Sequence, residues 1–186
     1  LSNILVVSAT RSEAAHVPVE LPLLICGIGK VAASIAVTRS LAAHPDPASV
    51  TVINVGTAGA LRPSMAGLYV ASVVHQHDIS SAALTAMGYP VVDRIELPDG
   101  DGSELATGDT FVADPAHRDA LAHRAALVDM EGFAIARAAG EFGAPCRLVK
   151  VVSDEADAQA MDWPARVDAV AGLLGDWLRT HVADAC

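Results

Sequence analysis

Short, continuously apolar runs alternate along this chain with stretches whose apolar positions recur at helical spacing. Ile4-Leu5-Val6-Val7 reads as a buried strand, after which the sequence turns polar from Ser8 to Glu13. A second apolar run, Leu21 to Cys26, ends in Gly27-Ile28-Gly29-Lys30. The Ala-rich stretch Val31 to Ala43 then predicts a helix, stopped by His44-Pro45-Asp46-Pro47. Val50 to Val55 predicts a strand ending in Gly56-Thr57-Ala58-Gly59, and Leu68 to Val74 another that leads into His75-Gln76-His77-Asp78. Between Ser80 and Asp101 the turn residues around Gly88-Tyr89-Pro90 and Pro98-Asp99-Gly100 predict loop, with room for one short strand.

Glu104 to Thr107 predicts a strand that runs into Gly108-Asp109-Thr110-Phe111. A helix is expected over Pro115 to His123, a short strand over Ala126 to Val128, and a helix over Glu131 to Phe142, closed by Gly143-Ala144-Pro145. Arg147 to Val152 predicts a strand ending in Ser153-Asp154-Glu155-Ala156-Asp157. The last segment, Pro164 to Val182, places Val167, Val170, Leu174, Trp177, Leu178 and Val182 on one helical face, with Pro164 behind Asp162 at the helix start. Apolar strands alternating with helices predict an α/β domain whose sheet is covered on both faces. No repeat or linker divides the 186 residues, a length that suits one domain. Each polar loop of interest follows the carboxyl end of a strand, the edge where open α/β sheets bind ligands.

Composition narrows the class. Hydrophobic residues make up 52% and charged residues 18%, too apolar for intrinsic disorder. The 12 basic and 22 acidic residues leave a formal charge of −10 with no basic stripe, which argues against binding nucleic acid. The apolar runs are too short for a bilayer, so no membrane partner is expected, and Leu1 to Ser8 lacks the basic flank of a signal peptide. Cys26, Cys146 and Cys186 have no CxxC spacing and read as reduced thiols of a cytoplasmic protein.

Gly27-Ile28-Gly29-Lys30-Val31-Ala32 matches the loose GxGxxA form of the dinucleotide fingerprint. The ribose-binding acid that such a site needs, at the end of the next strand, is absent: Asp46 has the spacing but sits in the Pro-rich turn before the strand. A tight strand-to-helix turn is the better reading. His75-x-His77 puts two imidazoles on one strand face, but no third ligand has metal spacing, so no metal is expected. A GxSxG elbow, a Walker loop and a Cys nucleophile setting are all missing. What remains is three carboxylates in short turns: Glu13, Glu131 and Asp154. Each has an ordinary alternative, helix capping for Glu131 and turn capping for Asp154 and Asp157, as Phe111 has core packing.

Taken in order, Ser8-Ala9-Thr10-Arg11-Ser12-Glu13, Gly27 to Ala33, Asn54-Val55-Gly56-Thr57-Ala58-Gly59, Gly108 to Val112, Val128-Asp129-Met130-Glu131-Gly132 and Val152 to Asp157 resemble the nucleoside phosphorylase/nucleosidase superfamily. Within it the methylthioadenosine/adenosylhomocysteine nucleosidases are most similar. The resemblance implies a three-layer α/β/α fold with a central mixed sheet, no cofactor, a homodimer, and a nucleoside substrate cleaved at its N-glycosidic bond in nucleoside catabolism and methionine salvage. It implies that Asp154 protonates the purine at N7 and that Glu13 activates the attacking water. Met130 and Glu131 would hold the ribose, Phe111 would stack on the base, and the backbone of Val112 would read its edge. Ala58 and Gly59 would lie along base and sugar, with Thr57, Asp129 and Ser153 beside them. A carboxylate at Glu13, where the related phosphorylases bind phosphate, favours hydrolysis, although Arg11 lies two positions away.

Several positions depart from the family pattern. The region between Glu13 and Gly27 is short, Thr57 replaces a serine, Asp129 a glutamate and Lys150 an arginine, and Leu84 to Gly88 matches the 5′-pocket stretch only loosely. Futalosine hydrolysis, phosphorolysis and non-catalytic nucleoside binding are the alternatives.

Overall fold

The computed structural model of the chain describes residues 3–156 and 163–182; the readings placed on Asp157, Asp162 and Cys186 lie outside the described residues. The elements run β1 (Ile4–Ser8), β2 (Leu23–Ile25), α1 (Lys30–Ala42), β3 (Thr51–Ala60), β4 (Leu68–Val70), β5 (Val73–Gln76) and α2 (Ser81–Ala86). Then follow β6 (Arg94–Glu96), β7 (Glu104–Thr107), α3 (Pro115–Ala122), β8 (Leu127–Asp129), α4 (Gly132–Glu141), β9 (Cys146–Asp154) and α5 (Trp163–His181). All of these strands join one mixed sheet.

Strand β3 holds the sheet together. Along Val52–Ala58 it runs parallel to β9, and its first residues pair in parallel with β1 on the other side. The register shifts between Ala58 and Gly59, after which Gly59 and Ala60 pair antiparallel with Val128 and Leu127 of β8. One half of the sheet is thus β2-β1-β3-β9-β4, with β4 antiparallel at its edge. The other is β8-β7-β5-β6, with β6 antiparallel. A bulge of this kind bends and twists a strand, and here the two halves part at the carboxyl end of β3.

Alternation along the strands builds three layers. Val7, Val52 and Leu148 point to the side where α1 buries Ala33, Val37 and Leu41 and α4 buries Phe133 and Ile135. Val6, Ile53, Val149 and Val151 point to the opposite side, against Leu174, Leu178 and Val182 of the closing helix. Fully burying a side chain of this size contributes about 1.5–3 kcal/mol, so α5 is held by its apolar face. It also sits on the turn after β1, because a Cβ at Gly175 would lie 2.3 Å from the His16 carbonyl oxygen.

The predicted elements recur with four differences. First, β3 runs on through Gly56-Thr57-Ala58-Gly59, because these small residues are buried and pair with β9 and β8. Second, Leu68 to Val74 is two strands. Ala71 N–H donates to Leu148 of β9, whereas Ser72 N–H donates to Ser103 beside β7, so the chain crosses between sheet halves there. Third, Ser80 to Asp101 contains α2, which buries no residue and so leaves no periodic signal, along with the short edge strand β6. Fourth, the closing helix starts at Trp163, one residue before Pro164.

Candidate active site

The carboxyl ends of β1, β3, β7, β8 and β9 converge on one cavity. Glu13 reaches it from the turn after β1, Thr57, Ala58 and Gly59 from β3, and Phe111 and Val112 from the loop after β7. Asp129, Met130 and Glu131 line it from the end of β8, and Ser153 and Asp154 from the end of β9. All eleven residues that the resemblance assigns to the site therefore border the same space. None of the described residues lining it is Lys, Arg or His. Arg11 is exposed and does not line it.

Glu13 is buried and saturated with donors. Its Oε1 accepts from the backbone N–H and the hydroxyl of Thr57, both at 2.8 Å. Its Oε2 accepts from the N–H and hydroxyl of Thr10 at 3.1 and 3.0 Å, while Glu13 N–H donates back to Thr10 Oγ1. This reciprocal pairing is a Thr-x-x-Glu capping box, a signal legible in Thr10-Arg11-Ser12-Glu13. Four donors match the four lone-pair sites of an ionised carboxylate. Gly56 makes room for it: a Cβ there would stand 3.2 Å from Glu13 Oε1 and 3.4 Å from Lys150 Nζ.

Asp154 does cap a turn. Ala156, in the left-handed region at φ 48°, turns its N–H onto Asp154 Oδ1 at 2.9 Å, and Ser153 donates its hydroxyl to Oδ2 at 2.7 Å. Each oxygen keeps a lone-pair site for a ligand. Gly59 opens this corner, since a Cβ there would sit 3.1 Å from Oδ1.

Glu131 occupies the N-cap position of α4 but makes no cap bond. Asp129 does that work, its Oδ2 accepting from Gly132 N–H at 2.8 Å. The same oxygen pairs with Lys150 Nζ at 2.8 Å, and Oδ1 accepts from the Thr107 hydroxyl at 2.5 Å. Asp129 thus borders the cavity with a carboxylate already committed to protein donors. Lys150 is buried. Burial works against its charge, yet Asp129 first and Glu131 next hold its ammonium above the ordinary lysine range.

Glu131 Oε1 accepts from Gly29 N–H at 2.8 Å, and Asp109 Oδ1 accepts from Lys30 N–H at 2.8 Å. The Gly27-Gly29 turn, with φ of 84° and 91°, is therefore a strand-to-helix turn whose free amides face the protein's own carboxylates, which leaves no dinucleotide phosphate site. Lys30 further bonds Asp78, and Asp78 accepts from Asp109 N–H at 2.8 Å, tying down the loop that carries Phe111. Phe111 is 44% exposed, so core packing does not account for it. His75 instead faces Glu104 at 3.9 Å, and the His77 ring meets His117 edge-on, with no cluster of metal ligands among the described residues. Burial raises the thiols of Cys26 and Cys146 to about 11 and about 12, which makes both inert.

Trp163 also lines the cavity, its indole N–H donating to Thr57 Oγ1 at 2.7 Å. Neither Trp163 nor Thr10 stands out in the sequence reading. Thr10 had the capping-box spacing to reveal it, whereas the contact of Trp163 joins residues 106 apart and leaves no local trace.

Burial, then Asp129, push Glu131 up from 4.5 to about 7. A carboxyl with its folded pKa raised holds a proton that the unfolded chain has released, so stability falls as pH rises from 4.5 to 7. Glu131→Gln keeps an oxygen for Gly29 N–H and removes the charge. It is expected to gain on the order of 2–3 kcal/mol over the parent at pH 8 and little at pH 4.5, read by urea unfolding at both pH values. An equal effect at both would contradict the assignment.

Known proteins resemble this chain in sequence and in fold. A family model of the Phosphorylase superfamily matches residues 105–176. A 5′-methylthioadenosine/S-adenosylhomocysteine nucleosidase of Shewanella oneidensis is 30% identical over 171 residues, covering 77% of this chain and 69% of that protein. One from Shewanella sp. strain W3-18-1 is 31% identical over 159 residues, which cover 70% of this chain but only 66% of the relative, just under two thirds of its length. The chain belongs to the family of the 5′-methylthioadenosine/S-adenosylhomocysteine nucleosidases. Its fold is that of the Helicobacter pylori nucleosidase, with a TM-score of 0.82 at 23% identity over 97% of both chains. The futalosine hydrolase of Helicobacter pylori shares that fold, with a TM-score of 0.83 at 23% identity over 97% of both chains.

Proposed function

We propose that the chain hydrolyses the N-glycosidic bond of a purine nucleoside, 5′-methylthioadenosine or S-adenosylhomocysteine, releasing adenine and the ribose moiety. The observation that carries this is the charge of the cavity: Glu13, Asp129, Glu131 and Asp154 line it, and no described basic side chain does. A phosphate nucleophile would meet carboxylates and no cationic side chain among the described lining residues, whereas water and a positively charged sugar are favoured.

In this reading Asp154 works protonated. It hands its proton to N7 of the base, the C1′–N9 bond breaks, and both bonding electrons leave with adenine. The sugar becomes oxocarbenium-like, stabilised by Glu131, whose carboxylate also accepts bonds from the 2′- and 3′-hydroxyls. Water then adds to C1′ and gives its proton to Glu13. The longer bonds of Glu13 are those to Oε2, and the Thr10 hydroxyl accepts only a long 3.3 Å bond from Glu13 N–H, so Thr10 yields that oxygen to the water. Phe111 packs on the base, and Met130 against the sugar. The division of work between an acid and a base is that of glycoside hydrolysis on another scaffold.

We read the active form as a homodimer in the cytoplasm, taking part in methionine salvage. Ile28, Val31 and Ile35 form an exposed apolar row on and before α1 that supports a partner, and the two described cysteines are unpaired thiols, as a reducing compartment requires. Among the described residues no helix is long and apolar enough to cross a membrane.

The test is base release from methylthioadenosine, adenosylhomocysteine, adenosine, inosine and futalosine, each with and without phosphate, followed by chromatography. Phosphate-independent release of adenine from a 5′-thio substrate is expected. Release only with phosphate would make the chain a phosphorylase, a preference for futalosine would make it a futalosine hydrolase, and binding without release would make it a nucleoside-binding protein.

A further inference from the structure

We infer that Trp163 is a positioning residue for the catalytic water: through the Thr57 hydroxyl it holds Oε1 of Glu13 and so leaves Oε2 as the working oxygen. The inference rests on the reading of Glu13 as the base.

The argument is one of hydrogen-bond direction. An indole N–H only donates, and a carboxylate only accepts. The Thr57 hydroxyl lies between the two, 2.7 Å from Trp163 Nε1 and 2.8 Å from Glu13 Oε1. It has a single proton. With the indole N–H on one of its two lone pairs, the hydroxyl turns that proton toward the carboxylate of Glu13. Without the indole the hydroxyl is free to turn toward water or substrate in the cavity that Thr57 borders.

With it, Oε1 keeps two fixed donors from one residue, Thr57 N–H and O–H, at 2.8 Å each. The bonds to Oε2 are longer, and the Thr10 hydroxyl that makes one of them is held by Glu13 N–H at 3.3 Å, against 2.7 Å for the indole on Thr57, so asymmetry is built into the carboxylate. A polarised chain of this type strengthens each of its bonds. It also ties the start of α5 to the base, while further along the same helix Gly175 rests on His16, three residues past Glu13. One helix thereby grips the Glu13 turn from two sides.

The decisive experiment is a double-mutant cycle on steady-state hydrolysis of methylthioadenosine. Trp163→Phe keeps an aromatic wall and deletes the N–H. It is expected to lower kcat about 3- to 10-fold, the worth of one hydrogen bond, with KM unchanged. In a Thr57→Val background, where no hydroxyl remains to orient, the same change is expected to cost nothing further in kcat. If Trp163→Phe raises KM with kcat intact, or if the two losses multiply, Trp163 is only a wall of the pocket and the inference is overturned.

Glu13→Gln, assayed alongside, separates the two readings. Near-full activity in that variant removes Glu13 as the base and this inference with it, whereas a collapse of activity together with a KM-only effect at position 163 removes the inference alone. A spectroscopic check does not depend on turnover. The chain has two tryptophans, so in Trp177→Phe the emission belongs to Trp163. Thr57→Val in that background should shift it to the blue as the indole N–H loses its acceptor; an unmoved spectrum contradicts the bond.

Discussion

Glu13→Gln and Asp154→Asn are each expected to lower kcat by about 10²–10⁴-fold, the usual worth of a positioned base or acid, while nucleoside binding stays largely intact. The substitutions are matched in shape. Asn at 154 still offers an oxygen to Ala156 N–H, and the Ser153 hydroxyl, which now donates to Oδ2, can rotate to accept from the new amide. Gln at 13 still accepts from Thr57 through its oxygen but turns an NH₂ toward the Thr10 donors, so its fold is checked by thermal melting before its rate is read. Turnover by chromatography and affinity by calorimetry with methylthioadenosine on the slowed variants give the two halves of the result. Near-wild-type kcat in either variant would falsify the division of proton work between these two acids.

Lys150→Met is expected to be the most destabilising single change in the site. Lys150 is 2% exposed and pairs with Asp129, itself 6% exposed, and Glu131 also leans on its charge. Removing one member of a buried pair costs about 3–5 kcal/mol, because the remaining charge is stranded away from water. The double variant Lys150→Met/Asp129→Asn removes both charges and should recover part of that loss, a coupling that additive effects cannot produce. Urea unfolding of the parent, both single variants and the double variant measures it. A loss below about 1 kcal/mol for Lys150→Met, the range of a surface pair, would show that Thr107 and Gly132 alone satisfy the Asp129 carboxylate.

The sequence was legible where one short run carries one element. Hydrophobic runs located β1, β7, α1 and α5 within a residue or two, because each buries one face that its spacing displays. The cavity residues were legible as a set because each lies at the carboxyl end of a strand or in the loop that follows it, and the sheet brings those ends to one edge. What stayed hidden depends on partners far along the chain. The strand character of Gly56 to Gly59 comes from β9 and β8, not from the intrinsic preference of glycine and alanine. Lys150 looks like one polar residue in the run Arg147 to Val152, and only the fold shows that it neutralises Asp129 from beneath the cavity. Asp129 borders the cavity, and only the fold shows that its side chain also serves Thr107, Gly132 and Lys150.

The place of β9 has a consequence for how the protein is made. It slots between β3 and β4, pairing with β3 from Val52 to Gly59 on one side and with Leu68 to Val70 on the other. It is also the last strand among the described residues. Until it is synthesised and inserted, β3 carries a long, almost wholly apolar row of unpaired backbone groups, a template on which a second nascent chain can add a strand. The strand that delivers Asp154 therefore closes the most adhesive edge of the growing polypeptide, and a chain that stalls before Cys146 lacks Asp154 and leaves that edge open to aggregation.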